Sequence, residues 1–504
     1  MQRRGNTRQN NQVGRTNAGH LSSPDDHSKD KGNGPSLVVK AAIVIAVLLV
    51  VGVGCWIESS GEDLTYGVLT EPASSSKSSR KGSAGAAKKP SGGGQAPKHE
   101  TSLEEMMEIP ESEAPIHIIF STGCNPFQDW QSYIFFFHAW KSGQTGTVTR
   151  IASGCNNKDA KVLTEMHEKQ IRIMSKNFHL HLTPDFAHVK PDLNFKYFNK
   201  PFGLKHWLEH GLGYPDNAKE HDDSIVVLLD PDQMFVRPFT NDFTDSVEVW
   251  RPTDSKVPKF TKVKHGAPFA QQYGFGLQWK TKVNMTHVAQ GEYSRIDTMD
   301  AEEAKGHYSL GPPYIATARD MYSIAKVWTD FVPRVHDNYP HLLAEMFGYC
   351  LAAAHLNLPH RVAHSFMVSD VGAGGEGWKL VDEIPSNRVC RDPPQERFPH
   401  VLHYCQRYML GKWFIGKYRL RKDFISCDAP LLMEPPPTIT ELSHQIAPDG
   451  TYLTFKTPRA PKRNAFMLCL LIPRLNEAAI FFKDHHCNGQ GNYNKTYAFH
   501  DDMS

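Results

Sequence analysis

Short apolar runs recur along the chain from residue 116 onward, and segments with helical spacing separate them. The runs Ile116–Ser121, Thr147–Ala152 and Ser224–Leu229 are typical of β-strands. The last run, SIVVLL, is continuously apolar, which suits a central strand that is buried on both faces. Helical spacing in Asp129–Lys141 and Pro201–His210 places helices between these runs. This alternation predicts an α/β domain with a largely parallel sheet.

Two further helices are predicted towards the C-terminus. Leu342–His355 has the pattern of an amphipathic helix. A second helix, which contains a cysteine, is predicted within a C-terminal extension over residues 438–504. The main α/β domain is therefore assigned to residues 115–437.

A longer apolar run lies near the N-terminus. Residues 36–57 read SLVVKAAIVIAVLLVVGVGCWI, close to the roughly 20 residues that cross a bilayer. We predict a transmembrane anchor at residues 37–57, between a disordered cytosolic tail (1–36) and a flexible stem (58–114). A cleaved signal peptide is the alternative, but its apolar region should be shorter and nearer the N-terminus.

The flanking charges predict the orientation of this anchor. Six basic side chains precede the run and three acidic ones follow it closely, so the positive-inside rule places the N-terminus in the cytosol. The anchor is then a single-pass type II anchor, and the catalytic domain is luminal. The layout of anchor and stem favours the Golgi membrane, with the endoplasmic reticulum as the alternative.

Composition narrows the class of protein. The formal net charge of +2 over 504 residues does not indicate a nucleic-acid partner. Nine cysteines occur without a C-x-x-C pair, so there is no signature of a structural zinc site. Eight of them follow the anchor, an even number in a compartment that permits disulfides, although their pairing stays open.

The candidate chemistry follows the most apolar strand. Asp230 and Asp232 come directly after SIVVLL, and ligands of open α/β sheets bind beyond the carboxyl ends of the strands. Residues two apart in an extended segment point the same way, so both carboxylates would face one point. Two such anions about 4 Å apart repel by roughly 4 kcal/mol at an effective dielectric of 20, and a divalent cation reverses this. Mg²⁺ or Mn²⁺ carrying substrate phosphates suits these ligands.

Two other interpretations compete with a metal site. Asp-Pro-Asp is also an ordinary turn sequence. Haloacid-dehalogenase-type phosphatases place a similar motif after an apolar strand, but after the first strand of the fold and with Thr or Val two positions on. Here more than a hundred residues of the domain precede it and Met234 holds that position, which disfavours the phosphatase.

Several stretches of the chain carry a family resemblance. They are residues 116–155, 199–210, 225–238, 344–360, 398–423 and 475–487. Taken together, they resemble the peptidyl serine α-galactosyltransferases of plants and algae, and the related hydroxyproline O-arabinosyltransferases. The similarity runs in order over most of residues 115–487 and is far more specific than any one motif. The stretch after Trp250, as far as Thr298, aligns poorly and is where acceptor choice would be made.

This resemblance implies the GT-A-like (Rossmann-like) glycosyltransferase architecture with a metal-dependent nucleotide-sugar site. Asp230 and Asp232 would hold the metal, Mn²⁺ or Mg²⁺, and through it the UDP diphosphate, with Asp232 serving catalysis. His403 matches a third metal ligand, although a core histidine at a strand end is the alternative. Glu345 would orient the sugar or the acceptor hydroxyl, with a helix-surface glutamate as the alternative.

Further residues are implied around the nucleotide. Ser121 and Thr122 end the first strand and would lie near the uridine. Arg150 would face the nucleotide or form a surface salt bridge, and Lys412 and Lys417 would neutralise the diphosphate or remain solvated. The glycine-rich stretch 371–378 is expected to be a mobile loop with Trp378 as a sugar-stacking platform, whereas Trp130 and Trp207 are expected in the core.

The implied reaction is retaining transfer of a sugar to a side-chain hydroxyl of a secretory protein. UDP-galactose with serine and UDP-arabinofuranose with hydroxyproline are the two donor–acceptor pairs, with Ser/Hyp-rich proteins as acceptors. The competing hypothesis is a non-catalytic luminal protein that binds peptides or glycans on the same fold.

Overall fold

The computed structural model describes residues 115–252, 260–446 and 450–498. The predicted tail, anchor and stem, residues 1–114, lie outside the described residues. The strands are β1 Ile116–Gly123, β2 Thr147–Ser153, β3 Phe178–Thr183, β4 Ile225–Leu229, β5 Gln233–Phe235, β6 Phe269–Gln272, β7 Leu310–Thr317, β8 Arg361–Ala363, β9 Met367–Val368, β10 Val401–His403, β11 Arg407–Leu410, β12 Trp413–Gly416, β13 Leu431–Leu432, β14 His444–Ile446, β15 Tyr452–Thr454 and β16 Lys495–Thr496. The helices are α1 Pro126–Lys141, α2 Asn157–Met166, α3 Asn199–His210, α4 Ala218–His221, α5 Gln278–Thr281, α6 Met285–Val288, α7 Ala301–His307, α8 Ala318–Asn338, α9 Ala344–His355, α10 Trp378–Asp382 and α11 Ala460–His486.

A seven-stranded mixed sheet organises the described chain, in the order β3-β2-β1-β4-β7-β6-β8. Strands β3, β2, β1 and β4 are parallel, so their carboxyl ends meet at one edge of the sheet. Beyond β4 the pairing with β7 is antiparallel. The predicted α/β domain with a largely parallel sheet is thus confirmed, and its strand-rich second half is mixed.

Strand β7 was not predicted, because its sequence contains Pro312 and Pro313, and proline cannot donate to a strand ladder. The structure accommodates them at an irregularity. The β4 pairing stops at Tyr314, and the β6 pairing passes from Tyr314 directly to Gly311 across a register shift. The two prolines therefore occupy positions where neither neighbouring strand requires their missing N–H groups.

Both faces of the sheet are covered, as expected for a continuously apolar central strand. Within β1, Phe120 packs in one core with helices α1 and α11, while the next residue back, Ile119, packs in the other core. Neighbouring side chains in a strand point to opposite faces, which explains this division. Trp130 and Trp207 lie in these two cores, as predicted.

Helix α9 corrects one prediction. Its sequence was interpreted as amphipathic, but every residue from Ala344 to Ala354 is buried. The helix lies between α8 and the sheet, so the polar stripe expected to face solvent does not exist. Glu345 is buried with the rest, which excludes a helix-surface glutamate.

The C-terminal helix α11 is part of the main core. It is long and apolar enough to cross a membrane, the one such helix among the described residues, but 67% of its most apolar window is buried inside the protein. It packs against α1 and the hairpin β11–β12, and Asn464 Oδ1 accepts a hydrogen bond from the Met409 N–H at 3.0 Å. Residues 460–486 therefore serve here as a core helix.

Three disulfides are formed within the described chain. They are Cys124–Cys155, Cys390–Cys469 and Cys427–Cys487. The first ties the end of β1 to the end of β2, and the other two tie α11 to the loops that follow α10 and β12. The pairing that the sequence left open is thereby given, and Cys350 and Cys405 take part in no disulfide there.

Candidate active site

The Asp-Pro-Asp turn begins where β4 ends, at the edge shared by the carboxyl ends of the parallel strands. Asp230 is partly exposed and Asp232 is buried. Gln233, which is wholly buried, fixes the turn: its Oε1 accepts from the Asp230 N–H at 3.0 Å, and its Nε2 donates to the Pro312 carbonyl at 3.0 Å. The amide thus locks the turn against the irregular strand β7. Sequence analysis did not single out Gln233, because its partner lies 79 residues away.

His403 lies beside the Asp-Pro-Asp turn, although it is distant from it in the sequence. Strand β10 pairs antiparallel with β5, with His403 opposite Gln233, and the Tyr404 N–H donates to the Asp232 carbonyl at 3.1 Å. His403 Nε2 lies 3.4 Å from Asp232 Oδ1. One ligand atom each from Asp230, Asp232 and His403 lie within 4.8 Å of one another. Two carboxylates and an imidazole at this spacing fit a divalent metal ion such as Mn²⁺ or Mg²⁺.

Lys417, directly after β12, forms an ion pair with Asp232 through its Nζ and Oδ2. Burial alone would raise the pKa of Asp232, but Lys417 and His403 more than offset this and hold the pKa of that carboxyl well below its usual range. Burial alone would lower the pKa of Lys417, and Asp232 reverses this to a pKa well above the usual value. Both groups are therefore charged at neutral pH.

Glu345 and Lys200 complete the cluster. Lys200 Nζ lies 2.6 Å from Asp230 Oδ1 and 3.3 Å from Glu345 Oε2. Glu345 is only 3% exposed. Its burial, opposed by Lys200 and supported by Asp230, raises the pKa of Glu345 to about 7. Lys200 was missed by sequence analysis, because a lysine on a helix carries no local signal of two buried partners.

The ends of β1 and β2 hold the other predicted nucleotide-side residues. Ser121 and Thr122 are buried where β1 ends. Arg150 is 1% exposed, and its guanidinium donates to Thr122 Oγ1 at 2.9 Å and to Asp129 Oδ1 at 2.8 Å. Burial lowers the pKa of Arg150 against the pull of Asp129. The surface salt bridge considered for Arg150 is therefore wrong, since its ion pair is internal and holds the end of β1.

Lys412 does not join the cluster, although its predicted role was the same as that of Lys417. Lys412 lies exposed in the turn between β11 and β12, at the opposite end of the hairpin from Lys417. Its Nζ lies 5.1 Å from the Trp413 ring centroid and 4.5 Å from that of Tyr497. The structure thus separates the two lysines that the sequence treated alike.

The predicted role of Trp378 as a sugar-stacking platform is wrong. The side chain is 1% exposed, and its Nε1 donates to the Asp370 carbonyl at 2.7 Å, so it offers no face to a sugar. Arg463 on α11 donates to the Val371 carbonyl at 2.7 Å. Trp378 and Arg463 thus connect the glycine-rich stretch to the core in this structure, and the mobility expected of this stretch remains a prediction.

Exposed aromatic rings adjoin the cluster instead. Tyr418 is 62% exposed and stacks on Phe127, with ring centroids 5.5 Å apart and planes at 8°. Lys417 Nζ lies 4.8 Å from the Tyr418 centroid. These rings were missed, although Tyr418 follows Lys417 directly in the sequence.

Comparison with known proteins gives two curated relatives. The chain is 24% identical over 325 residues to a peptidyl serine α-galactosyltransferase of Arabidopsis thaliana, a match covering 64% of this chain and 34% of that protein. It is 23% identical over 314 residues to the protein of the same name in Chlamydomonas reinhardtii, covering 59% and 35%. The chain thus spans about a third of the length of the curated relatives it matches.

Solved structures give weaker likenesses. A crystal structure of the galactosyltransferase LgtC in complex with donor and acceptor sugar analogues aligns with a TM-score of 0.32 and 13% identity, covering 57% of this chain and 87% of that one. The bifunctional glycosyltransferase WbbM aligns with a TM-score of 0.31 and 10% identity, covering 63% and 49%. No family model matches the chain. At these TM-scores the fold assignment depends on the sheet topology alone, whereas the curated relatives at 23–24% identity confirm the resemblance to the peptidyl serine α-galactosyltransferases.

Proposed function

We propose that this chain is a metal-dependent retaining glycosyltransferase of GT-A-like architecture that moves a sugar from a UDP-sugar to a side-chain hydroxyl of a secretory protein. The observation that carries the proposal is the convergence of Asp230, Asp232 and His403 within 4.8 Å at the carboxyl edge of the parallel strands. Ligands of open α/β sheets bind at that edge. The similarity to the two curated relatives supports the same class of reaction.

Asp230, Asp232 and His403 are the residues that would hold the metal. Bound there, Mn²⁺ or Mg²⁺ supplies positive charge to the departing diphosphate. Lys200 engages Oδ1 of Asp230 and Lys417 engages Oδ2 of Asp232, while Oδ1 of Asp232 faces His403 Nε2 at 3.4 Å, so an ion bound there would take the place of this last contact. Lys417 also adds positive charge beside the diphosphate, where developing negative charge needs it.

The remaining residues divide between donor and acceptor. Ser121 and Thr122 would contact the uridine, with Arg150 fixing the strand end that presents them. Glu345 would orient the transferred sugar or the acceptor hydroxyl from the floor of the site. Galactose to serine, or arabinofuranose to hydroxyproline in Hyp-rich proteins, are the two pairs we propose, in the Golgi lumen on a type II anchor.

A donor screen tests the proposal. Purified protein is incubated with Mn²⁺, labelled UDP-galactose or UDP-arabinofuranose, and peptides containing serine and hydroxyproline. We expect transfer from one donor that chelator abolishes and added Mn²⁺ restores. The matched variant is Asp230→Asn, which keeps the shape of a partly exposed side chain and replaces an anionic metal ligand with a neutral one, so it should need more Mn²⁺ for the same transfer. No transfer from either donor, with UDP binding indifferent to chelator, would instead favour a luminal binding protein.

A further inference from the structure

Lys200 occupies a position that the proposed function does not explain. It lies in the first turn of α3, and its ammonium contacts carboxylates from two other elements, Asp230 after β4 at 2.6 Å and Glu345 on α9 at 3.3 Å. Its side chain is only 13% exposed. Burial alone would lower the pKa of Lys200, and Asp230 and Glu345 reverse this, so its pKa lies above the usual value. The Lys200 ammonium therefore connects Asp230, a candidate metal ligand, to the buried Glu345.

Glu345 is held by this contact in one orientation. Its Oε2 faces Lys200, while its Oε1 is shielded from solvent and has no hydrogen-bond partner among the described residues. The Tyr314 hydroxyl is also fully buried and has no hydrogen-bond partner among the described residues. Burial, with a smaller contribution from Glu345, raises the pKa of Tyr314 well above its usual value. A buried polar atom without a partner is destabilising, because it has lost its hydrogen bonds to water and gained none in the protein. Two buried polar atoms beside the cluster, Glu345 Oε1 and the Tyr314 hydroxyl oxygen, are therefore available for a hydrogen bond to a bound molecule.

Charge explains why a single lysine matters here. Asp230, Asp232 and Glu345 bring three carboxyl groups together, and Lys417 serves Asp232. Lys200 is shared between the other two. Without it, Asp230 and Glu345 would face each other with no cation between them, and like charges held close together at low dielectric repel each other. Either side chain would then turn away or take up a proton.

We propose that Lys200 is a positioning residue for the transfer reaction: its ammonium couples Asp230 to Glu345 and fixes both carboxylates in the geometry that transfer requires. This inference rests on the proposed function. Lys200 acts through the two carboxylates and keeps Oδ1 of Asp230 when the other oxygen binds an ion. It does not itself need to touch the donor.

Three variants of the full-length protein test this. Lys200→Met removes the charge with similar side-chain bulk, and Lys200→Arg keeps a cation with several donors. Lys205→Met, on the same helix but paired at 3.8 Å with Glu209 at its surface, is the matched control. For each, Mn²⁺ affinity is measured by calorimetry without donor, and kcat and KM are measured with the donor that the wild type uses.

We expect kcat of Lys200→Met to fall about 10- to 100-fold, the scale of a lost alignment of reacting groups. Its Mn²⁺ affinity should be unchanged or tighter, because a positive charge has been removed beside Asp230. Lys200→Arg should recover most of kcat, and Lys205→Met should match the wild type. If Lys200 only stabilised the fold, its loss would reduce Mn²⁺ affinity and kcat together. A lower kcat with unchanged Mn²⁺ affinity therefore indicates a positioning role.

Three results would overturn the inference while leaving the proposed function intact. They are a Lys200→Met enzyme with kcat within twofold of the wild type, a parallel loss of Mn²⁺ binding and kcat, and a Lys200→Arg enzyme as slow as Lys200→Met. If the wild type itself transfers no sugar from any UDP donor, the proposed function fails, and the assignment of Lys200 fails with it.

Discussion

Lys417 Nζ donates a hydrogen bond to Asp232 Oδ2 although the two side chains are only 12% and 6% exposed. The second aspartate of the Asp-Pro-Asp turn is therefore not a loop residue in solvent but half of a buried ion pair. Removing one member of such a pair leaves the other as a buried charge without compensation, which typically costs 3–5 kcal/mol. Asp232 thus contributes to the stability of the fold as well as to the candidate chemistry.

Asp232→Ala should lower the free energy of unfolding by about 3–5 kcal/mol and abolish transfer. The double variant Asp232→Ala with Lys417→Met should regain much of that stability, since no unpaired buried charge remains, and should stay inactive. Urea denaturation without Mn²⁺, together with the transfer assay, measures both. A single variant as stable as the wild type would contradict the ion pair.

Lys417→Met should reduce kcat/KM for the donor at least tenfold, because it removes the positive charge nearest to Asp232. Lys412→Met is the matched comparison and should stay within twofold of the wild type, since that side chain contacts Trp413 and Tyr497 instead. Steady-state kinetics at saturating Mn²⁺ decides between them. Equal losses in both variants would mean that Lys412 also serves the donor.

Glu345 should make stability fall as the pH rises. Its folded-state pKa of about 7 lies above the ordinary 4.5, so between these values the folded protein holds the proton that the unfolded chain has lost. The loss across this window is about 3 kcal/mol, since one pKa unit is about 1.4 kcal/mol. Glu345→Gln should remove this part of the pH dependence.

The measurement is chemical denaturation of wild type and Glu345→Gln in chelator, from pH 4 to 8. Burial also raises the pKa of Glu376 to about 7, but both proteins contain this group, so it cancels in the difference. The difference in unfolding free energy should change between about pH 4.5 and 7 and be flat outside that window. Parallel curves would show that Glu345 has an ordinary pKa.

The disulfide Cys427–Cys487 should contribute about 4 kcal/mol to stability, because it closes a loop between cysteines 60 residues apart in the sequence. We expect the free energy of unfolding of the Cys427→Ala, Cys487→Ala double variant to fall by this amount, so the variant should unfold at a lower urea concentration than the wild type. The same urea midpoint for this variant and the wild type under oxidising conditions would be inconsistent with the bond.

The sequence predicted those parts of the fold whose signal is local. The continuous run in β4 and the helical spacing of α1 and α3 are patterns within a few residues, and the structure has each element near its expected bounds. Strand β7 was missed because two prolines within a segment argue against a strand. The register shift between β7 and β6 accommodates these prolines, and it is visible only in the structure.

The candidate site was predictable only in part, for a related reason. Asp230 and Asp232 were found because a buried strand immediately precedes them, and His403 because of a family resemblance. Lys200 lies 30 positions before Asp230 and 145 positions before Glu345 in the sequence, so nothing near it in the chain indicates its partners. Lys412 and Lys417 look equivalent in sequence. The β11–β12 hairpin places Lys412 in its turn and Lys417 at its other end, where Lys417 contacts Asp232.

Helix α11 connects the C-terminal part of the chain to the candidate site. Asn464 on that helix holds the backbone of β11, and the hairpin that β11 begins ends at Lys417. A premature stop codon before residue 460 would remove this brace while sparing every metal ligand proposed above. Because α11 also supplies a large part of the main core, and the lost segment one cysteine of each of two disulfides, such a truncated product should lose its folded structure together with the placement of Lys417, and the loss should be seen first as a loss of stability.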